Sequence, residues 1–379
     1  MLTCLLLFAA ITPPMAAQDE FHFVVLGDSQ FHDPAAFNRM IDDVKLLKPA
    51  FVIQVGDMIA GYHDDPETVV AEWQRFKHQI EPLAPIPFMP VVGNHDIFNA
   101  KKKPDKKLEA IFKQVWGATN YQFTYRNSHF IILNSDAPGR ERAIGKEQFR
   151  WLRKKLANNT ASEHTFVFMH RPPFTLKSSE KLHALFVQHS VDFVIYGHHH
   201  HYHYREQDGV NYVMVSSTAN SGLEHDLTGS FDHFAQVSVR DTDVSLAIVR
   251  SDSIEALNYS DPSDNYDLFA FKRDMPNEVK MTKIGSNQWS LSIPLNNPGP
   301  RILTAYVACK SDDDRWQFDP ASIDPIELGA ESRQKLTLAV SFDARRVPEG
   351  EVYCDLTVPF QTSRGNWVYD RHRVTAAQP

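Results

Sequence analysis

The chain has 379 residues, 42% of them hydrophobic, which is enough for a large buried core and makes two domains the default expectation. A formal charge of −8 and an isoelectric point near 6.1 exclude a broad polyanion-seeking surface, so no nucleic-acid duplex is expected as a partner.

In chain order, residues 1–17 read as a signal peptide: an apolar run from Leu5 to Ile11 is followed by small residues, with cleavage expected near Ala17. The protein is therefore expected to be exported, to a periplasm or the medium. No Lys or Arg precedes the apolar run, which leaves an upstream start or an uncleaved anchor open. Beyond this leader no stretch is long and apolar enough to span a membrane.

The strand-like run Phe23-Val24-Val25-Leu26 closes on Gly27-Asp28-Ser29-Gln30. A helical stretch from Ala35 to Leu47 leads to a second run, Phe51 to Val55, closing on Gly56-Asp57. Helix-like Pro66 to Ile80 precedes Gly93-Asn94-His95-Asp96. The stretch Gly145 to Leu156 puts Phe149, Leu152 and Leu156 on one face, so it should cover a flank of a sheet. Two further runs, Phe166 to Met169 and Phe193 to Tyr196, close on His170 and on Gly197-His198-His199-His200, with a helical stretch from Glu180 to His189 between them. Shorter strand-like runs at Val210, Phe234 and Val244 should complete a second sheet. This alternation predicts α/β layers over residues 18–252, with polar clusters at strand ends, where such sheets place their sites.

Residues 253–275 are rich in Ser, Asp, Asn and Pro with little periodicity, and read as a linker. Residues 276–379 read as an all-β sandwich, with strands near Trp289, Ile302, Leu336 and Val352. Cys309 and Cys354 lie in two of these strand-like stretches, as a disulfide or as two buried thiols. Trp316 and Trp367 are the candidate surface aromatics of this part, which reads as a packing module or as a wall of a cleft, with partner or carbohydrate binding as the alternative.

Asp28, Asp57, Asn94, His170, His198 and His200 supply oxygen and nitrogen ligands for two divalent cations. Such a pair, about 3.5–4 Å apart, needs a bridging carboxylate, and Asp57 is the candidate. Taken singly, each residue has a plainer reading. Asp28 or Asp57 could cap a helix, His170 could be a core histidine, and His198 to His203 could be a metal-scavenging tract.

The set, in this order and with these gaps, resembles the calcineurin-like metallophosphoesterase family, whose pattern is D-x-H, G-D, G-N-H-[DE], H and G-H-x-H, from about residue 21 to about residue 250. The resemblance implies a two-sheet sandwich flanked by helices, with metals at the sheet edge. It implies one ion held by Asp28, Gln30, Asp57 and His200, and another by Asp57, Asn94, His170 and His198. It also implies hydrolysis of a small phosphorylated substrate, a monoester or a diester, by a metal-activated hydroxide attacking phosphorus in line, with His95 acting on the leaving oxygen and Asp96 orienting its imidazole.

Gln30 stands where the family has histidine. As a harder and weaker ligand it favours Mn or Mg over Zn at that ion, with Fe also open for the pair, and it is similar to the D-x-Q of manganese-dependent ADP-ribose pyrophosphatases. His32 is a substitute ligand close by. Ala60 occupies the position of the purple acid phosphatases' tyrosine, so no iron–tyrosinate is expected. The walls of the pocket are expected from Ile97 to Trp116 and from Ala137 to Gly145. The basic run Lys101 to Lys107 is a solvated loop or a rim for phosphorylated substrates. Arg171, Tyr202 and His225 are possible substrate contacts, and His199, His201 and His203 alternate away from the ligands, toward solvent. A catalytically inactive relic acting as a surface or partner-binding protein is the second reading, resting on Gln30 alone.

Overall fold

The computed structural model describes residues 20–30, 34–137, 139, 142–218, 225–250, 253–321, 323–343 and 350–377. The leader at 1–17 lies outside the described residues, as does His32.

The first part runs β1 (Glu20–Leu26), α1 (Pro34–Leu47), β2 (Val52–Gln54), α2 (Pro66–Ile80), β3 (Phe88–Pro90), α3 (Asn94–Ile97), α4 (Lys106–Trp116), β4 (Tyr121–Tyr125), β5 (Ser128–Ile132), α5 (Lys146–Ala157), β6 (His164–Phe168), α6 (Ser179–Gln188), β7 (Phe193–Tyr196), β8 (His203–Gln207), β9 (Val210–Met214), β10 (Phe234–Arg240), β11 (Asp243–Val249), β12 (Ile254–Ala256) and α7 (Pro262–Arg273). One six-stranded sheet has the order β12-β11-β10-β1-β2-β3 and the other β4-β5-β6-β7-β9-β8.

Strand side chains alternate faces, and here both faces are apolar because both are covered. Phe23, Phe51, Ile53, Phe130, Phe166, Phe168 and Ile195 fill the space between the sheets. Their rings stack closely, with Phe23 and Phe51 5.1 Å apart and Phe130 and Phe166 5.1 Å apart. Val24, Leu26 and Val52 face outward against Phe37, Ile41, Trp73 and Phe76 of α1 and α2. Val167, Val194 and Tyr196 face outward against Leu152, Leu156, Leu185 and Phe186 of α5 and α6. Full burial of each such side chain contributes roughly 1.5–3 kcal/mol. The result is the expected two-sheet sandwich between helices. Strands β1, β2 and β3 are parallel, as are β5, β6 and β7, so the loops after β1, β2, β3, β6 and β7 open at one edge.

The stretch expected as a linker is ordered structure. β12 pairs with β11, and α7 begins at an N-cap, where Asp261 accepts from the Ser263 N–H and Pro262 opens the first turn. The Ser, Asp and Pro content that resembled a linker is the capping signal. Beyond it, β13 (Glu278–Lys280), β14 (Thr282–Gly285), β15 (Gln288–Asn297), β16 (Leu303–Ser311), β17 (Trp316–Asp319), β18 (Ile326–Leu328), β19 (Ser332–Phe342), β20 (Val352–Gln361) and β21 (Trp367–Ala377) form two sheets, β13-β21-β20-β16-β18 and β14-β15-β19-β17, around one core. Cys309 and Cys354 are cross-strand neighbours on β16 and β20 and are bridged. Trp316 is buried in this core against Trp289 and Phe342, contrary to its expected surface position, whereas Trp367 is exposed. Among the described residues no helix is long and apolar enough to cross a membrane.

Candidate metal centre

The loops after five parallel strands each deliver one polar cluster: Asp28 after β1, Asp57 after β2, Asn94 after β3, His170 after β6, and His198 and His200 after β7. Their ligand atoms converge as two groups that share one residue. Asp57, His170 and His198 form one, Asp28, Asp57 and His200 the other, and within each the ligand atoms lie within 4.8 Å of one another. Asp28, Asp57 and His170 are almost wholly buried.

The chain holds these side chains at a cost in backbone strain. Asp57, His198 and His200 have φ of +51°, +85° and +53°, a left-handed region that costs a non-glycine residue about 1–3 kcal/mol. The glycines of the motifs are there for contact. A Cβ on Gly93 would strike the Asp57 carboxylate, and one on Gly197 would strike that of Asp28.

His170 donates from Nδ1 to the Val55 carbonyl (2.9 Å), which aims Nε2 at Asn94 Oδ1 (3.0 Å), His198 Nδ1 (3.1 Å) and Asp57 Oδ2 (3.2 Å). Asn94 joins the first group through that oxygen, because its amide donates to the Tyr62 hydroxyl at 2.7 Å. The Gln30 amide lies 3.3 Å from Asp57 Oδ2 and 3.4 Å from His200 Nε2, with Oε1 buried and without a hydrogen-bond partner. A half-turn of that amide puts the orphaned oxygen among the ligands of the second group. Two carboxylates, three imidazoles and two amide oxygens, crowded around a shared aspartate, fit a pair of divalent cations of the Mn, Fe, Zn or Mg type.

Charge follows the same geometry. Burial pushes the Asp57 carboxyl up, but His170 and His95 beside it outweigh that and hold it well below the usual carboxylate range. Burial works against a charged His170, yet Asp57, Asp28 and Asp136 hold it up at about 9. A histidine raised from 6.5 to about 9 on folding contributes stability that is fully present below its unfolded value and is lost as pH rises through its folded one. Chelator-treated protein is therefore expected to melt at falling temperature as pH rises from about 6.5 to about 9. His170→Gln should flatten that stretch. Calorimetric melts of both proteins across this window check it, and parallel curves would refute it.

His95 donates from Nδ1 to the Ala60 carbonyl at 2.6 Å, and its Nε2 lies 4.0 Å from Asp57 Oδ2. The sequence points to Asp96 as the group orienting that imidazole, but the Ala60 carbonyl takes its Nδ1–H. The Asp96 carboxylate instead accepts the backbone N–H groups of Asp57 (3.1 Å), Met58 (2.9 Å) and Gly93 (2.7 Å). Asp96 therefore fixes the loops that carry Asp57 and Asn94, and burial, then the Asp57 charge, pushes its pKa up to about 7.

Arg171 is brought to the site. Its Nε donates to both oxygens of Asp136 (2.6 and 2.7 Å), and Nη1 lies 2.6 Å from His198 Nε2. Tyr202 is buried, its hydroxyl donating to the Leu257 carbonyl, and His225 lies 3.4 Å from Asp370 of β21. From the basic run, Lys102 lies over the Tyr62 ring at 5.4 Å. His201 and His203 are buried rather than facing solvent, and with His199 they surround the ring of Tyr266 on α7. Burial is the main cause holding His199 at about 4 and His201 at about 3, so both are neutral.

Sequence reasoning missed Tyr62, Asp136 and Tyr266. Tyr62, whose ring lies 4.1 Å from that of His95, follows the Gly-Asp motif by five residues and was the most accessible of the three to a closer reading. Asp136 closes the buried run Phe130 to Leu133 as the ligand clusters close theirs, whereas Tyr266 carries no local pattern.

A two-sheet sandwich between helices, with clustered carboxylates and imidazoles at the strand ends, defines the metallophosphoesterase class of fold. Residues 21–202 match the family described as Calcineurin-like phosphoesterase, and the α/β part of the chain is similar to that family. Over 135 residues the chain is 31% identical to the serine/threonine-protein phosphatase CPPED1 of Mus musculus, covering 34% of this chain and 41% of that one, less than half the relative's length. Among solved structures, a dimetal phosphatase from Danio rerio superposes with a TM-score of 0.50 at 14% identity, over 63% of this chain and 99% of that one. GAP50, the anchor in the inner membrane complex of Plasmodium, also superposes at 0.50, with 16% identity, over 66% and 94%. At such identities the two structures speak for the fold alone.

Proposed function

We propose that the protein is a binuclear-metal phosphoesterase that hydrolyses a phosphomonoester or phosphodiester bond of a small substrate. The observation that carries this reading is the pair of ligand groups sharing Asp57. One ion would be held by Asp57, Asn94, His170 and His198, the other by Asp28, Gln30, Asp57 and His200. Bound there, the cations would supply Lewis acidity toward phosphoryl oxygens and an activated water nucleophile. The chain does the rest. Arg171, locked by Asp136, presents its guanidinium beside His198 to a phosphoryl oxygen. His95, anchored by its Nδ1–H, turns Nε2 to the site and gives a proton to the leaving oxygen. Asp96, Gly93 and Tyr62 hold the ligands in place.

We also place the protein outside the cytosol. The bridged Cys309–Cys354 pair supports this, since such links persist in oxidising compartments. Fractionation of producing cells would show it in the periplasm or the medium, and a cytosolic pool alone would refute it.

The test of activity is hydrolysis of p-nitrophenyl phosphate and bis-p-nitrophenyl phosphate after reconstitution with Mn, Fe, Zn or Mg. Metal-dependent turnover is expected, and the preferred ester assigns the bond type. Failure to bind any of the four ions would favour the second reading, an inactive surface or partner-binding protein, for which Gln30 is the supporting residue.

A further inference from the structure

Helix α7 has two working faces. Leu268 and Phe271 pack into the core of the C-terminal sandwich, and Asp264 ties the helix to it through Ser363 (2.7 Å) and Arg301 (3.3 Å). The opposite stripe, Tyr266, Phe269, Ala270 and Arg273, faces the histidine tract. Between this stripe and His198 to His201 lies a cavity of about 490 Å³, within the roughly 300–1,000 Å³ of small-molecule sites.

Two of its lining residues, His198 and His200, are candidate metal ligands, so the cavity adjoins the candidate centre. Its far wall is aromatic. Tyr266 is fixed by its hydroxyl on His199 Nδ1 (2.7 Å) and stands edge-on to the rings of His199 and His201. Phe269 is 37% exposed and offers part of its ring to the cavity. Among the described residues no acidic side chain lines the cavity, and its one Lys or Arg, Arg273, lies at the last turn of the helix.

We propose that this cavity is the leaving-group subsite and that it selects a flat aromatic leaving group, an aryl or heteroaryl alcohol, over an alkyl one. The proposal rests on the phosphoesterase reading above. With the phosphoryl group at the paired ligands and its ester oxygen between His95 and the histidine tract, a flat ring beyond that oxygen would lie against Phe269, beside the Tyr266 edge of the slot. The C-terminal sandwich, by clamping α7 from behind, sets the width of the slot.

The test needs no turnover. Phenylphosphonate and methylphosphonate share the phosphonate group and differ in the part that would fill the cavity. Calorimetric titration of the metal-reconstituted protein is expected to show phenylphosphonate binding about tenfold more tightly, the size of one aromatic contact. In Phe269→Ala, and independently in Ala270→Trp, which fills the cavity, the ratio of affinities should collapse toward one. Trp367→Ala, on the outer face of the sandwich, should preserve it. Equal binding of the two phosphonates by the unmodified protein, or a ratio that survives both α7 substitutions, would overturn the subsite and leave the phosphoesterase reading standing. Binding of neither phosphonate, with metals loaded, would bring down both.

Discussion

Replacing Asp57 by asparagine is expected to lower bound metal from two ions per chain to one or none and to cut turnover by on the order of 10³ or more. Asp57 is the residue common to both ligand groups. Paired cations contribute several kcal/mol of charge stabilisation to phosphoryl transfer, and each 1.36 kcal/mol is tenfold in rate. Asparagine preserves the volume and one oxygen, so loss of packing is not the cause of the fall. The carboxylate also accepts the His95 N–H at 2.8 Å, and the variant should therefore show some local loosening of the Asn94–Ile97 turn as well. Elemental analysis together with initial rates decides the matter. Two retained ions with turnover within about tenfold of the parent would show that Asp57 is not the bridge.

The second large effect is expected at His95, and its size should depend on the substrate. A positioned general acid contributes roughly 10²–10⁴ in rate. That contribution is needed when the leaving group is a poor one, such as an alkyl alcohol, and is largely dispensable when it is p-nitrophenolate. His95→Gln should therefore lose about 10²–10⁴ in kcat on an alkyl phosphate and far less on p-nitrophenyl phosphate. Plotting log kcat against leaving-group pKa for parent and variant would show the variant line as the steeper one. Parallel lines would mean that His95 acts at phosphorus or on the ligand shell, which its 4.0 Å approach to Asp57 would then explain.

The residues that carry the candidate site were readable because they follow buried strands. Phe51 to Val55 and Phe193 to Tyr196 are apolar on both faces, which marks a strand covered on two sides, and the Gly-polar clusters that end them can only be loops at its edge. What failed to show was whatever depends on distant parts of the chain. Asp96 looked like a partner for its neighbour His95, but the nearest unsatisfied groups in space were three backbone N–H donors from two loops. His201 and His203 alternate away from the ligands as expected, yet Tyr266 arrives from more than 60 residues downstream and covers them. Helix α7 itself was hidden because its two faces are both partly apolar, so no single stripe stands out along its 12 residues. The Asp261-Pro262-Ser263-Asp264 cap is the legible signal there, and its composition is also that of a linker.

The left-handed backbone at Asp57, His198 and His200 has an evolutionary consequence. Three such positions together tax the folded state by several kcal/mol, a sizeable share of the 5–15 kcal/mol by which domains of this kind are held together. A lineage released from selection for turnover would gain stability by drifting to glycine at any of the three. The three candidate ligand side chains thus sit where the fold bears a standing thermodynamic cost, and these same positions are where protein engineers would exchange robustness and chemistry most directly.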